Sequence, residues 1–240
     1  MTPARLRISG LGKRFGRLDV LRGVHIGVAP GRITAVVGPN AAGKTTLIKT
    51  ILGLVRPDRG TVEVNDEVVG RDPAYRKLIG YMPQSARFPE YLTGREILGL
   101  LTGLRERRSG LDEELIGQFC LDAHLDKPLR TLSGGTRQKL NAAVAFLFRP
   151  ALIILDEPTA GLDPVAAGIL KDKVLRAPSE GVTVILTSHI MSEVEELAQD
   201  LVFLVEGVVV YQGAVQSLLE QSGESRLERA IAAILSGTAP

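Results

Sequence analysis

Nine consecutive residues, Gly38, Pro39, Asn40, Ala41, Ala42, Gly43, Lys44, Thr45 and Thr46, have the types and the spacing to hold phosphate. They fit G-x-x-x-x-G-K-[ST], in which successive loop N–H groups form a concave anion site and the next helix aims its positive dipole end at the same point. Lys44 is placed to reach the β- and γ-phosphates of a nucleotide, and the Thr45 hydroxyl to ligate Mg²⁺. A glycine-rich turn with a chance lysine is the plain alternative; spacing, residue types and flanks all argue against it. Two acids, Asp156 and Glu157, end an apolar run that starts at Ala151. A buried strand presenting carboxylates at its C-terminal end is where α/β folds place metal and phosphate chemistry. His189 follows a second apolar run, 182–187. A lone histidine after a strand is more often structural, but beside an Asp-Glu strand it reads as phosphate-facing.

These groups need elements to position them. Residues 32–37 form a β-branched, apolar run and read as a buried strand, and 47–52 have helical spacing, so the loop sits between strand and helix as its pattern requires. Leu6 and Ile8 begin a first strand, Lys13 to Gly16 reads as a turn, and 20–28 forms a second strand stopped by Pro30-Gly31. Phe15 has two readings, a core residue or a surface ring on which a nucleobase stacks. Residues 61–65 form a short strand, and 75–79 a helical turn leading to Gln84.

From about 85 to 135 the character becomes helical. Thr93-x-x-Glu96 is a capping box, 111–120 reads as a helix, and Arg105 to Arg108 as a solvated turn. Ser133 can cap a helix that runs to Phe148, before Pro150. Further on, 164–176 and 191–198 read as helices, 201–205 and 208–211 as a hairpin through Glu206-Gly207, and 215–219 and 226–235 as closing amphipathic helices.

Composition narrows the class. The 240 residues are 45% hydrophobic and 23% charged, values ordinary for a soluble globular domain. Lys and Arg total 29 against 27 acids, a net +2 that gives no general reason to expect nucleic acid as a partner. The single cysteine, Cys120, rules out an intramolecular disulfide and fits a reducing compartment; it reads as a small core residue. The N-terminus lacks the apolar core of a signal peptide, and no apolar run reaches membrane-spanning length.

Taken in order, the motifs resemble an ATP-binding-cassette (ABC) ATPase domain over residues 4–220. The segment Leu132-Ser133-Gly134-Gly135-Thr136, some twenty residues before the Asp-Glu pair, separates this family from other phosphate-loop NTPases. The resemblance implies an α/β fold: a P-loop NTPase core whose mixed sheet has a RecA-like parallel part and an N-terminal antiparallel part, with an inserted helical subdomain. Its parts are a core of 1–84 and 136–222, a helical subdomain of about 85–135 and a helical tail of 223–240. It assigns adenine stacking to Phe15, the phosphate loop to Gly38 through Thr46, and the metal shell to Thr45, Gln84 and Asp156. Glu157 becomes the general base, with His189 and Gln84 as catalytic partners that meet the γ-phosphate and its metal. The signature residues Ser133, Gly134, Gly135 and Thr136 contact ATP bound to another copy, and Asp163 couples the two sites.

ATP and Mg²⁺ are therefore the expected ligands. A head-to-tail homodimer, or a paired cassette, is the expected assembly. Two positions depart from the commonest family pattern. Ala41 stands where glycine is frequent, at a cost of roughly 1 kcal/mol if its φ is positive. Thr136 stands where glutamine is frequent, with Ser133-Gly134-Gly135 intact.

Three kinds of work fit such an ATPase: the motor of a membrane transporter, a soluble mechanochemical ATPase assisting cofactor assembly, and nucleic-acid repair or chromosome organisation. The last is disfavoured by the balanced charge and by the short span between phosphate loop and signature. The compact chain resembles single-cassette subunits of exporter type that bind a separate transmembrane permease, which places it in the cytoplasm on the inner face of the membrane. Phe88, Pro89, Tyr91 and Leu92 suit the permease contact, or else pack their own loop. Residues 132–150 are similar to the ATPase subunit of nitrous-oxide-reductase maturation, a copper-linked system, although no copper-binding pattern accompanies them.

Overall fold

The computed structural model describes residues 5–70 and 72–236. The start of the N-terminus, on which the signal-peptide reading rests, and the last residues of the expected helical tail lie outside the described residues. In chain order the strands are β1 (Leu6–Phe15), β2 (Leu18–Val28), β3 (Ile33–Val37), β4 (Arg59–Val64), β5 (Glu67–Val68), β6 (Ile79–Met82), β7 (Leu152–Asp156), β8 (Thr183–Thr187), β9 (Asp200–Val205) and β10 (Val208–Ala214). The helices are α1 (Lys44–Ile51), α2 (Gly94–Leu104), α3 (Glu114–Gln118), α4 (Gly134–Phe146), α5 (Pro164–Arg176), α6 (Met191–Leu197), α7 (Val215–Ser222) and α8 (Leu227–Leu235).

A six-stranded sheet runs β10-β9-β3-β8-β7-β6, parallel throughout except for the β9–β10 hairpin. All five residues of β3 and all five of β8 are buried, as expected for parallel strands covered on both faces. Side chains alternate across the sheet. Ile33, Ala35, Val37, Ile153, Leu155, Val184, Leu186, Leu201 and Phe203 join a core built with α2 to α8, whereas Val36, Ile154, Ile185, Val202 and Leu204 join a second core with α1 and the N-terminal strands. Those strands form a sheet of their own, β2-β1-β4-β5, antiparallel in every pairing. Among the described residues no helix is long and apolar enough to cross a membrane.

Local signals place most boundaries. Thr93 and Glu96 form the expected capping box at α2, and Ser133 caps α4. Four expectations are corrected. Lys13 to Phe15 belong to β1, and the chain reverses only at Gly16-Arg17, because antiparallel pairing with β2 continues to Phe15↔Leu18. The helix expected over 111–120 shrinks to α3, since the buried Asp112 is drawn instead to Leu147 O and Lys173. Cys120 is exposed and has φ +52, because Leu115, Ile116 and Phe119 are the residues that face the core. The 105–108 turn is not merely solvated. Arg105 donates to the carbonyls of Lys77 and Ile79 and Arg107 to that of Phe148, so both guanidinium groups tie α2 to the central sheet and to the end of α4.

Candidate functional site

Parallel order decides where the chemistry gathers. β3, β8, β7 and β6 are neighbours running in the same direction, so their C-terminal ends deliver the 38–46 loop, His189, Asp156-Glu157 and Gln84 to one rim. The loop then turns into α1 through Gly43, whose φ of +107 suits glycine. Close approach fixes the same choice at its start: a Cβ on Gly38 would lie 2.0 Å from the Leu204 carbonyl oxygen. Ala41 takes φ +63, so the left-handed conformation considered from sequence is the one adopted.

Asn40, Ala41, Ala42, Gly43, Lys44, Thr45 and Thr46 line a cavity of about 300 Å³ together with Gln84, Asp156 and Glu157. Leu18 and Val20 of β2 complete its wall. Neither carries a local signal of this role, because only the β1–β2 hairpin's path over the loop brings them there. Lys44 Nζ donates to the carbonyls of Gly38 at 2.6 Å and Pro39 at 3.0 Å. Burial lowers the Lys44 pKa, and the nearby charges of Glu157 and Asp156 oppose that shift.

The two acids are held differently. Asp156 pairs in register with Thr187, whose hydroxyl donates to Asp156 Oδ1 at 2.7 Å. The same hydroxyl and the Thr187 carbonyl both accept from the Glu157 N–H. Glu157 has φ +52, an uncommon conformation for a residue with a Cβ. Its carboxylate is 12% exposed and lies 2.7 Å from His189 Nδ1, on a ring that is 70% exposed. The one sign of Thr187's role along the sequence is a threonine that ends an apolar run just before His189. Gln84 is anchored through its backbone: Gln138 donates to the Gln84 carbonyl at 3.3 Å, and Asn141 to that of Pro83 at 2.8 Å. Both buried amides lie on α4, the signature helix.

Other expected residues lie elsewhere. Phe15 is 49% exposed, which removes the core reading; it ends β1 opposite Leu18, with the Lys13 ammonium 5.2 Å from its ring centre. Ser133, Gly134, Gly135 and Thr136 do not line the phosphate-loop cavity. The Ser133 hydroxyl accepts from the Thr136 N–H at 3.1 Å and shares a 2.8 Å hydrogen bond with the Thr136 hydroxyl, so the residue departing from the common pattern reinforces the cap. Asp163 is occupied within its own chain, capping α5 through Ala166 N–H and pairing with Lys139 Nζ at 2.7 Å.

A sequence model of the ABC transporter family matches residues 21–160, more than half of the chain. The chain belongs to the ABC transporter family. It is an ATP-binding subunit of that family and an ATPase. It is 36% identical over 233 residues to a daunorubicin resistance ATP-binding protein of Streptomyces coeruleorubidus, covering 95% of this chain and 74% of that one. It is 34% identical over 224 residues to the Nod factor export ATP-binding protein I of Ralstonia nicotianae, covering 89% and 68%. Among solved structures, the ATP-binding subunit of an ABC transporter superposes with a TM-score of 0.89 at 30% identity, covering 96% of this chain and 99% of that one. A dimeric cassette bound to ADP and Pi after hydrolysis shares the fold, with a TM-score of 0.77 at 21% identity over 87% of this chain and 98% of that one.

The ABC cassette's donor set fits a hard divalent cation. Thr45, Gln84 and Asp156 line the same cavity as Lys44 and offer a hydroxyl, an amide and a carboxylate, all oxygen donors of the kind Mg²⁺ takes beside phosphate and water.

Proposed function

We propose that this chain hydrolyses Mg-ATP as half of a head-to-tail pair and drives an exporter-type ABC transporter through a separate membrane permease. The observation that carries the pairing is the position of the signature. Ser133 caps α4 and leaves the helix's first N–H groups at a surface that the chain's own phosphate-loop cavity does not include. Such a helix start attracts anions. A second copy's γ-phosphate can fill it, so bound ATP favours the closed pair and hydrolysis releases it.

Within one site, Lys44 and the loop N–H groups bind the phosphates, with Phe15 at the base. Thr45, Gln84 and Asp156 hold Mg²⁺, which neutralises charge on the phosphates. Glu157 orients and deprotonates the attacking water, and His189 steers both Glu157 and the γ-phosphate. Positioning and charge stabilisation supply most of the rate in such a transfer. Asp163, already joined to α4 through Lys139, is placed to pass changes at one site to the signature helix serving the other.

The exporter reading is supported by relatives named for drug resistance and Nod factor export. An apolar groove of about 290 Å³, lined in part by Leu54, Tyr81, Leu101 and Phe148, suits a short permease helix, as does the 80% exposed Tyr91. The test is dimerisation by Glu157→Gln in Mg-ATP. It should pair stably while hydrolysis falls at least ~100-fold, and adding Ser133→Ala with Gly135→Val should abolish pairing. A monomeric Glu157→Gln protein, or pairing indifferent to the signature, refutes the arrangement. Co-purification with a multi-span membrane protein tests the permease; its absence favours a soluble ATPase.

A further inference from the structure

Glu193 lies on α6, is 9% exposed, and does not line the phosphate-loop cavity. Its two oxygens serve different loops. Oε1 accepts from the Thr159 hydroxyl at 2.7 Å, and Oε2 from the Ser188 hydroxyl at 3.1 Å. Thr159 is two residues beyond Glu157, and Ser188 immediately precedes His189. One buried carboxylate thus joins the segment after the proposed base to the segment before the histidine that holds it. Lys171 Nζ on α5 is 3.9 Å from the same Oε1, so the charge is not isolated.

The site has reason to need such a tie. Glu157 occupies a left-handed conformation, which is strained for a residue with a Cβ and persists only where the surroundings over-determine it. Thr187 restrains the Glu157 N–H from one side; Thr159 fixes the chain on the other. A carboxylate suits the hub because it can accept two hydroxyl protons at once, and hydrogen bonds to a charged group are stronger than neutral ones.

We propose that Glu193 is a positioning residue for ATP hydrolysis. By gripping Thr159 and Ser188 it holds Glu157 and His189 at the 2.7 Å spacing that aims the base at water. Glu193 touches no substrate and acts wholly through the two loops. The inference rests on Glu157 and His189 being the reacting side chains.

The test uses the full-length chain and the near-isosteric Thr159→Val, which removes the hydroxyl while Lys171 remains beside Glu193. Loss of one hydrogen bond to a charged group should lower kcat about tenfold or more. KM and the directly titrated affinity for ATP should stay within ~2-fold, since ground-state binding is untouched. Thr159→Ser should recover kcat to within ~3-fold, because the hydroxyl returns. Should Thr159→Val fail to fold, Ser188→Ala, which removes the other hydroxyl that Glu193 grips, must show the same split. Wild-type kcat in Thr159→Val, a serine variant as slow as the valine one, or parallel loss of affinity and rate each overturn the clamp. Glu157→Gln assayed alongside separates the layers. Normal turnover there removes the base assignment and the clamp with it, whereas a dead Glu157→Gln beside a normal Thr159→Val removes the clamp alone.

Discussion

Replacing Lys173 by Met should destabilise this protein more than a change of its size at most other positions. Lys173 sits on α5 with its side chain 4% exposed. Its ammonium lies 2.8 Å from Asp112 Oδ2 and 2.7 Å from Glu114 Oε2, and 5.9 Å from the Phe146 ring centre. Met keeps the aliphatic stem and removes the charge. Glu114 retains Arg176, but the Asp112 carboxylate, 8% exposed, keeps among the described residues only the Glu114 N–H at 3.2 Å. Breaking a buried pair by removing one partner costs roughly 3–5 kcal/mol. That is a large part of the ~5–15 kcal/mol that separates folded from unfolded domains. Urea unfolding followed by circular dichroism reads it directly, and the melting temperature should fall on the order of 10 °C. Lys173→Met with Asp112→Leu should regain most of the loss, because no orphan charge then remains.

The pH dependence has a fixed sign. Hydrogen bonds from Lys173 and then Arg176 hold the Glu114 carboxyl below its ordinary value of 4.5. Its stabilisation is complete above that value and fades as pH falls through the depressed one. Burial alone would lower the Lys173 pKa, but the hydrogen bonds with Asp112 and Glu114 outweigh it and raise the pKa above 10.5. That contribution is complete below 10.5 and fades as pH rises through the raised value. The stability gap between wild type and Lys173→Met should therefore shrink as pH rises through the raised Lys173 value and as pH falls towards the depressed Glu114 value. A gap under ~1 kcal/mol at neutral pH, no more than an exposed pair supplies, refutes the reasoning.

Two further outcomes follow from the site. Lys44→Ala should lose nucleotide binding in a direct titration while its unfolding curve stays near wild type; retained affinity refutes the phosphate role of Lys44. Ala41→Gly should shift the melting temperature by only a few degrees, since relief of about 1 kcal/mol of left-handed strain is offset by a freer unfolded chain. Ala41→Val puts a β-branched residue at the same φ and should melt several degrees lower, at roughly 2–4 °C per kcal/mol. A valine variant as stable as wild type would mean the loop does not need that backbone at residue 41.

What could be read along the chain was local. The G-x-x-x-x-G-K-[ST] loop, the apolar runs ending at Val37, Leu155 and Thr187, and the Thr93 and Ser133 caps each depend on neighbours a few residues away. Periodicity and turn chemistry report such neighbours well. Helix ends were less legible: the short α3 and the left-handed Cys120 answer to packing of Leu115, Ile116 and Phe119, which no local pattern announces.

The amino-acid order alone thus determined that a phosphate loop, a signature and an acid pair exist, and in which kinds of element. Only the tertiary structure decided what they touch. Strand order brought Thr187 to Asp156 across 31 positions, His189 to Glu157 across 32, Thr159 to Glu193 across 34, and Asn141 to Pro83 across 58. Hydrogen bonds between residues that far apart depend on register and on which strands lie side by side. Those choices are settled by burying both faces of the sheet at once, a property of the whole chain and of no segment within it.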